Sequence, residues 1–138
     1  MKRYLHVIIL GMIVGQPVFA QSRILTITFH SPQKGGTILV AAYEVDATFM
    51  KSEQAIIRES VLFERDSTTI SLVIPNNVVA ISAFHDLDGD SQLDKSIIGI
   101  PTEPYGFSND ARGIFGPPEF VQCVLDLERT TQITIHLK

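Results

Sequence analysis

Apolar side chains recur at every second residue through much of this chain, and that period rules out most helical architectures at the outset. Leu25, Ile27 and Phe29 alternate with Thr26, Thr28 and His30. A β-strand sends successive side chains to opposite faces, so this pattern buries one face and wets the other. Thr68 to Ile74 repeats the alternation and stops at Pro75-Asn76-Asn77. Thr37–Tyr43, which follows Gly35-Gly36, and Val78–Phe84 are apolar on both faces. Such runs read as strands covered on both sides. Val61-Leu62-Phe63 adds a short strand, and Val121–Leu127 with Gln132–Leu137 is expected to close the set as a hairpin about Glu128-Arg129-Thr130. Only Ala47 to Arg58 offers helical content, and its apolar residues support no more than a turn or two. The expected fold is all-β: a single antiparallel β-sandwich of about seven strands, Ig-like or prealbumin-like, with one long Gly/Pro-rich loop.

The N-terminus does not belong to that pattern. Met1-Lys2-Arg3 is a short basic stretch, Val7 to Gly15 is an apolar run, and Val18-Phe19-Ala20 places small or modest residues before a cleavage point. This reads as a signal peptide over residues 1–20 with Gln21 as the new N-terminus, leaving one domain over residues 21–138. A retained anchor fits less well, because the run falls short of the roughly 20 residues a bilayer requires and Pro17 ends it. The expected destination is the periplasm or the extracellular space. Cleavage would remove Lys2 and Arg3, leaving nine basic residues against fifteen acids, a net charge of −6. A domain with that balance and no basic patch is a poor match for nucleic acid or an anionic membrane surface.

The long loop runs from Asp86 to Phe120 and holds five glycines and four prolines. That composition cannot form an unbroken strand or helix. It also holds Tyr105, Phe107, Ile114 and Phe115, more apolar material than a disordered linker would keep, so it is expected to pack as an ordered excursion. Its first residues are Asp86-Leu87-Asp88-Gly89-Asp90-Ser91-Gln92-Leu93-Asp94. Oxygen donors at alternate positions of a tight loop converge on a common point, and Ca²⁺ takes six to eight of them. Asp86, Asp88, Asp90, the Gln92 carbonyl and Asp94 supply that spacing, with Leu93 as the apolar peg. Ser91 stands where such loops usually turn on Gly, and Ile97 stands where they usually close with an acid. Glu103, Asp110 or a carbonyl would then complete the shell. The competing reading is a solvated acidic turn, since Asp-Gly is itself a turn dipeptide. Against it, four carboxylates crowd nine residues with only Lys95 near.

Catalytic patterns are lacking. His30, His85 and His136 each sit in a strand pattern, and none has zinc-ligand spacing. There is no Gly-x-Ser-x-Gly elbow and no phosphate-cradling loop. Asp94 with Glu103 could be invoked for glycoside hydrolysis, but calcium accounts better for the same acids. Alternation puts Cys123 on one face with Val121, Leu125 and Leu127, which reads as a core residue rather than a reactive thiol. Two functional readings follow. One is a non-catalytic module that binds a structural Ca²⁺ and presents the Tyr105–Phe107 and Ile114–Phe120 segments to a protein or glycan. The other is a small extracytoplasmic hydrolase or ligand carrier using His85 with Asp86 or Glu103.

Three segments together carry a resemblance. They are Ala83-Phe84-His85-Asp86 through Asp94, then Gly99-Ile100-Pro101-Thr102-Glu103-Pro104-Tyr105-Gly106-Phe107-Ser108-Asn109, then Gly116-Pro117-Pro118-Glu119-Phe120. In order and spacing the chain resembles the bacterial domain-of-unknown-function family 2141. It departs from that family in carrying Asp88 and Asp90 where Asn is frequent, and Ser91-Gln92 where Gly-Lys is frequent. The resemblance implies an exported bacterial β-sandwich and no reaction.

Overall fold

The structure is a computed structural model and describes residues 21–138. The expected signal peptide, residues 1–20, lies outside the described residues. Eight strands form two sheets: β1 (Arg23–His30), β2 (Thr37–Tyr43), β3 (Ile57–Leu62), β4 (Ser67–Ile74), β5 (Val78–Asp86), β6 (Tyr105–Phe107), β7 (Val124–Asp126) and β8 (Gln132–His136). One sheet runs β4-β1-β8; the other runs β3-β2-β5-β6, with β7 also on β5. Between them lies a core of Leu25, Ile27 and Phe29 from β1, Leu72 and Ile74 from β4 and Ile135 from β8. It meets Ile38, Val40 and Ala42 from β2 and Val79, Ile81 and Ala83 from β5. The alternating strands thus bury one face each, as their period requires.

β5 is the central strand, and its two-sided apolar pattern has a structural cause. Its inner face carries Val79, Ile81 and Ala83 into the core. Outside, Ala80 packs with Phe107 and Cys123 in a second cluster, walled by Phe49, Tyr105, Ala111 and Phe120. Much of that wall comes from the long excursion, which folds back over the outer face of the sheet. One edge of β5 is paired with β2 over Ala80–Asp86; the other is shared by β7 at Val78–Ala80 and β6 at Ser82–Phe84. Between those two short strands, Ser108 substitutes for the missing ladder partner. Its hydroxyl accepts from the Ile81 N–H at 2.9 Å and donates to the Cys123 carbonyl.

The chain end differs from expectation. Phe120–Cys123 is a single helical turn, α1, rather than strand, and it leaves Val121 exposed while Cys123 is buried. A reciprocal cap starts it: Gln122 Oε1 accepts the Glu119 N–H at 2.8 Å while the Glu119 side chain caps the first turn. The expected hairpin about Glu128-Arg129-Thr130 does not form. β7 joins β5 in one sheet, whereas β8 crosses to the other and lies parallel to β1, setting His136 opposite His30. Every other strand pair is antiparallel. Two short 3₁₀ turns, Asp46–Thr48 and Ser52–Gln54, account for the helical content between β2 and β3.

Candidate metal centre

The acidic loop begins where β5 ends. Strand alternation sends His85 inward and Asp86 outward, so the two adjacent residues serve different environments. His85 is fully buried, edge-on to Phe63 with ring centroids 4.9 Å apart. Its Nδ1 meets the Ser31 hydroxyl at 2.7 Å and its Nε2 meets the Gly35 carbonyl. A carbonyl only accepts, so Nε2 carries the proton and Nδ1 accepts from Ser31. His85 therefore braces the turn between β1 and β2, and neither nitrogen faces Asp86 or Glu103. The geometry a His85-based hydrolase requires is not formed.

Asp86 is 2% exposed, yet it is an acid at the mouth of a loop. Its Oδ1 accepts the Gly89 N–H at 2.8 Å and its Oδ2 accepts the Ser91 N–H at 2.9 Å. These bonds wind the backbone around the carboxylate. The turn needs left-handed backbone at Gly89 (φ 82°), where glycine is at ease, and at Ser91 (φ 63°), where it is less so. Further round, Asp88 Oδ1 accepts the Asp90 N–H at 3.1 Å and Asp90 Oδ1 accepts the Gln92 N–H at 2.7 Å. Gly36 closes the base of the loop. A Cβ added there would stand 2.5 Å from the Asp86 carbonyl oxygen.

Glu103 completes the arrangement from the far side of the excursion. It is 6% exposed, and it accepts the Leu87 N–H at 2.8 Å through Oε1 and the Asp94 N–H at 3.1 Å through Oε2. It thereby ties the first and last parts of the loop together from the bend that leads into β6. Asp110, the other acid considered for that role, lies elsewhere, bonded to His136. Leu93 is half-buried and is not part of either apolar cluster.

The carboxylates form two overlapping groups. Asp86, Asp88 and Glu103 present oxygens within 4.8 Å of one another, as do Asp88, Asp90 and Asp94, with Asp88 common to both. Gln92 is exposed, and its backbone N–H donates to Asp90 Oδ1. Hydrogen bonding here is complete, for no buried side-chain nitrogen or oxygen among the described residues lacks a partner. Charge is not balanced. The ion pairs among the described residues are Lys34–Asp66, Arg129–Asp126 and His136–Asp110, and none reaches the loop. Two unit charges about 4 Å apart repel by about 4 kcal/mol at an effective dielectric constant near 20, less where water screens them. The strain registers at Asp94, whose carboxyl is pushed above the ordinary value by desolvation and then by Asp88, Glu103, Asp90 and Asp86. A buried Asp/Glu cluster of this kind can hold a metal ion, and its all-oxygen donor set suits a hard cation.

Beside this loop the chain makes an exposed spur. Lys95 bridges to Pro101, Ser96 N–H donates to the Ile100 carbonyl and Gly99 N–H to the Ser96 carbonyl. The tip carries Ile97 (106% exposed), Ile98 (80%) and Ile100 (58%). The aromatic segment expected at the surface is instead structural: Phe107 is buried in β6 and Tyr105 is half-buried. Ile114 and Phe115, in the same excursion, are exposed. The sequence places Ile97–Ile100 in the Gly/Pro-rich loop through Gly99 and Pro101 but does not single it out as an exposed apolar tip.

Cys123 is free and fully buried, and burial pushes its thiol up to about 11, so it is not a nucleophile at neutral pH. Among the described residues no helix is long and apolar enough to cross a membrane. No curated protein and no solved structure matches the chain. A family model described as "Uncharacterized protein conserved in bacteria" does match, over residues 13–135. The ordered excursion, the loop that opens it and the strands that carry both fall within that span, and the chain belongs to that family, domain-of-unknown-function family 2141.

Proposed function

We propose that this protein is an exported, non-catalytic β-sandwich module whose acidic loop holds one structural Ca²⁺ and so fixes the neighbouring spur for contact with a partner. The observation that carries this reading is the burial of Asp86 and Glu103 with their oxygens beside Asp88 and no ion pair to them among the described residues. Asp86, Asp88 and Glu103 form the inner donor set; Asp90, Asp94 and the Gln92 carbonyl extend it outward. The cation would neutralise charge that backbone amides alone only partly offset. Its role is structural because the same carboxylates already shape the loop and tie it to the segment that leads into β6. Of protein and glycan as partners, the aliphatic tip at Ile97, Ile98 and Ile100 favours protein, since it offers apolar area without the aromatic planes on which sugars stack.

The test is a thermal melt of the exported protein in millimolar Ca²⁺, millimolar Mg²⁺ and excess chelator. At 100 times the dissociation constant, a ligand of the folded state alone adds about 2.7 kcal/mol. That corresponds to a rise of roughly 10 °C for a domain of this size. A calcium-specific rise lost in Asp86→Asn and Glu103→Gln is expected; equal melts in all three buffers would sink the metal reading. The same sample checks export, since its mass should place the N-terminus at Gln21.

A further inference from the structure

We propose a second, chemically distinct metal site on the opposite sheet, in which His30 and His136 bind a borderline divalent cation such as Zn²⁺, Cu²⁺ or Ni²⁺. The two residues are direct partners in the parallel β1–β8 pair, both on its outward face. Their rings stack with centroids 5.3 Å apart and planes within 13°. Adjacent strands lie about 4.8 Å apart, a span that one ion coordinated by two imidazoles can bridge.

His136 is already held as a metal-ligating histidine is held. Asp110 Oδ2 lies 2.7 Å from its Nδ1, and Asp110 Oδ1 accepts the His136 backbone N–H at 2.8 Å. The carboxylate accepts only, so in the neutral imidazole Nδ1 bears the proton and Nε2 keeps its lone pair, on a side chain that is half-exposed. A carboxylate behind an imidazole is the usual orienting partner of a metal-binding histidine, fixing its tautomer and raising its basicity. Asp110 is itself aimed by costly backbone: Asn109 (φ 61°) and Asp110 (φ 48°) are consecutive left-handed residues, neither of them glycine. Asn109 is pinned there by bonds from Nδ2 to the Gln122 and Val124 carbonyls. Arg112 holds the other side of the strand, donating to the His136 carbonyl at 2.8 Å.

His30 is the adjustable ligand. It is exposed and makes no side-chain hydrogen bond among the described residues, so turning its ring toward the His136 Nε2 breaks no such bond. Along the strands next to the pair the side chains are neutral: Thr26 and Thr28 pair with Ser71 and Thr69 through their hydroxyls, and Thr134 lies beside them. Arg112 is the cation nearest in the hydrogen-bond network, and its guanidinium is committed to backbone carbonyls. Imidazole nitrogens select borderline metals and ignore Ca²⁺, so the two sites do not compete.

The experiment is a Zn²⁺ titration of the protein labelled with ¹⁵N in its imidazoles, followed by NMR in millimolar Ca²⁺. The side-chain nitrogens of His30 and His136 should shift together and saturate at one equivalent, while His85 stays still. Ni²⁺ should broaden the same two rings. His30→Gln, an exposed change, should abolish the joint shift, and Asp110→Asn should weaken binding by about tenfold or more. Response of only one ring, an unchanged His136 titration in His30→Gln, or no shift up to millimolar Zn²⁺ would overturn the proposal.

Discussion

Asp86 and Asp110 lie in the same excursion of the chain, and each accepts two hydrogen bonds through its two oxygens. What surrounds them differs. Asp110 faces a group that can carry positive charge: both bonds come from His136, one of them from its ring, and Arg112 stands nearby. Asp86 faces only the uncharged N–H groups of Gly89 and Ser91, with Asp88 and Glu103 crowding it. Partial burial pushes the Asp110 carboxyl up, but the His136 bonds and the charges of His136 and Arg112 outweigh it and hold the group below its ordinary value. Desolvation and like charge push Asp94, in the acidic loop, the other way. The two ends of one excursion therefore do different work. The clasp at Ser108 to Arg112 pairs its acid with charge inside the protein, whereas the carboxylates of the acidic loop have no ion pair among the described residues.

If that contrast holds, the clasp should fail without regard to calcium. Ser108→Ala gives the largest expected effect. It removes the hydroxyl that spans the gap between β7 and β6 and leaves the Ile81 N–H and the Cys123 carbonyl unpaired in a fully buried place. Stranding buried polar groups costs about 1–3 kcal/mol apiece, so a loss of about 3 kcal/mol, or roughly 10 °C in Tm, is expected. The drop should be the same in calcium and in chelator. A drop seen only in chelator would mean that the clasp and the loop act as one unit.

Asp110→Asn is a smaller break in the same place. The amide still offers one acceptor to the strand but loses the charge that faces His136, and the site is nearly half exposed, so the expected cost is about 1 kcal/mol. Its pH dependence is diagnostic. A carboxyl held below its unfolded value contributes stability that is present above that value and is lost as pH falls through the folded one. Wild type and Asp110→Asn should therefore differ at neutral pH and converge below about pH 4, the ordinary carboxylate range. Urea melts between pH 3 and 7 measure this directly. Parallel curves throughout would assign the clasp to backbone geometry rather than to charge.

The sequence made the strands legible where one physical demand dominated. β1 and β4 followed from alternation, and the double-sided apolarity of β5 correctly placed it at the centre with something covering its outer face. The failures came where a local pattern could serve two structures. Val121, Cys123, Leu125 and Leu127 alternate as a strand would, yet the Glu119–Gln122 cap starts a helical turn that the pattern hides. Glu119 and Gln122 stand three apart after two prolines, and that was the available signal. The hairpin failed because a short turn does not reveal that its two strands join different sheets; only the β1–β8 pairing settles that, and it spans more than a hundred residues. In the site, the acid spacing showed which side chains could converge, and Glu103 could be named as a closing acid. It could not show that Asp110, seven residues beyond Glu103, turns to His136 instead, because that choice depends on two left-handed residues and a distant strand.

The smallest expected effect separates the two regions most sharply, because its sign should change with the solvent. Asp94 is exposed, and its carboxyl is raised by desolvation and then by four neighbouring acids. A carboxyl raised above its unfolded value binds more protons in the folded state, so stability falls as pH rises from the unfolded value through the folded one. At neutral pH Asp94 therefore opposes folding while the cluster carries its full charge. Asp94→Asn removes that repulsion but keeps the backbone N–H that donates to Glu103. In chelator the variant should melt slightly above wild type. In millimolar Ca²⁺ it should melt below, since the ion both cancels the repulsion and uses the carboxylate as a donor. Asp110→Asn should show no such crossing. If Asp94→Asn is destabilising in chelator as well, the acids there balance one another through the backbone, and the loop is as self-contained as the clasp.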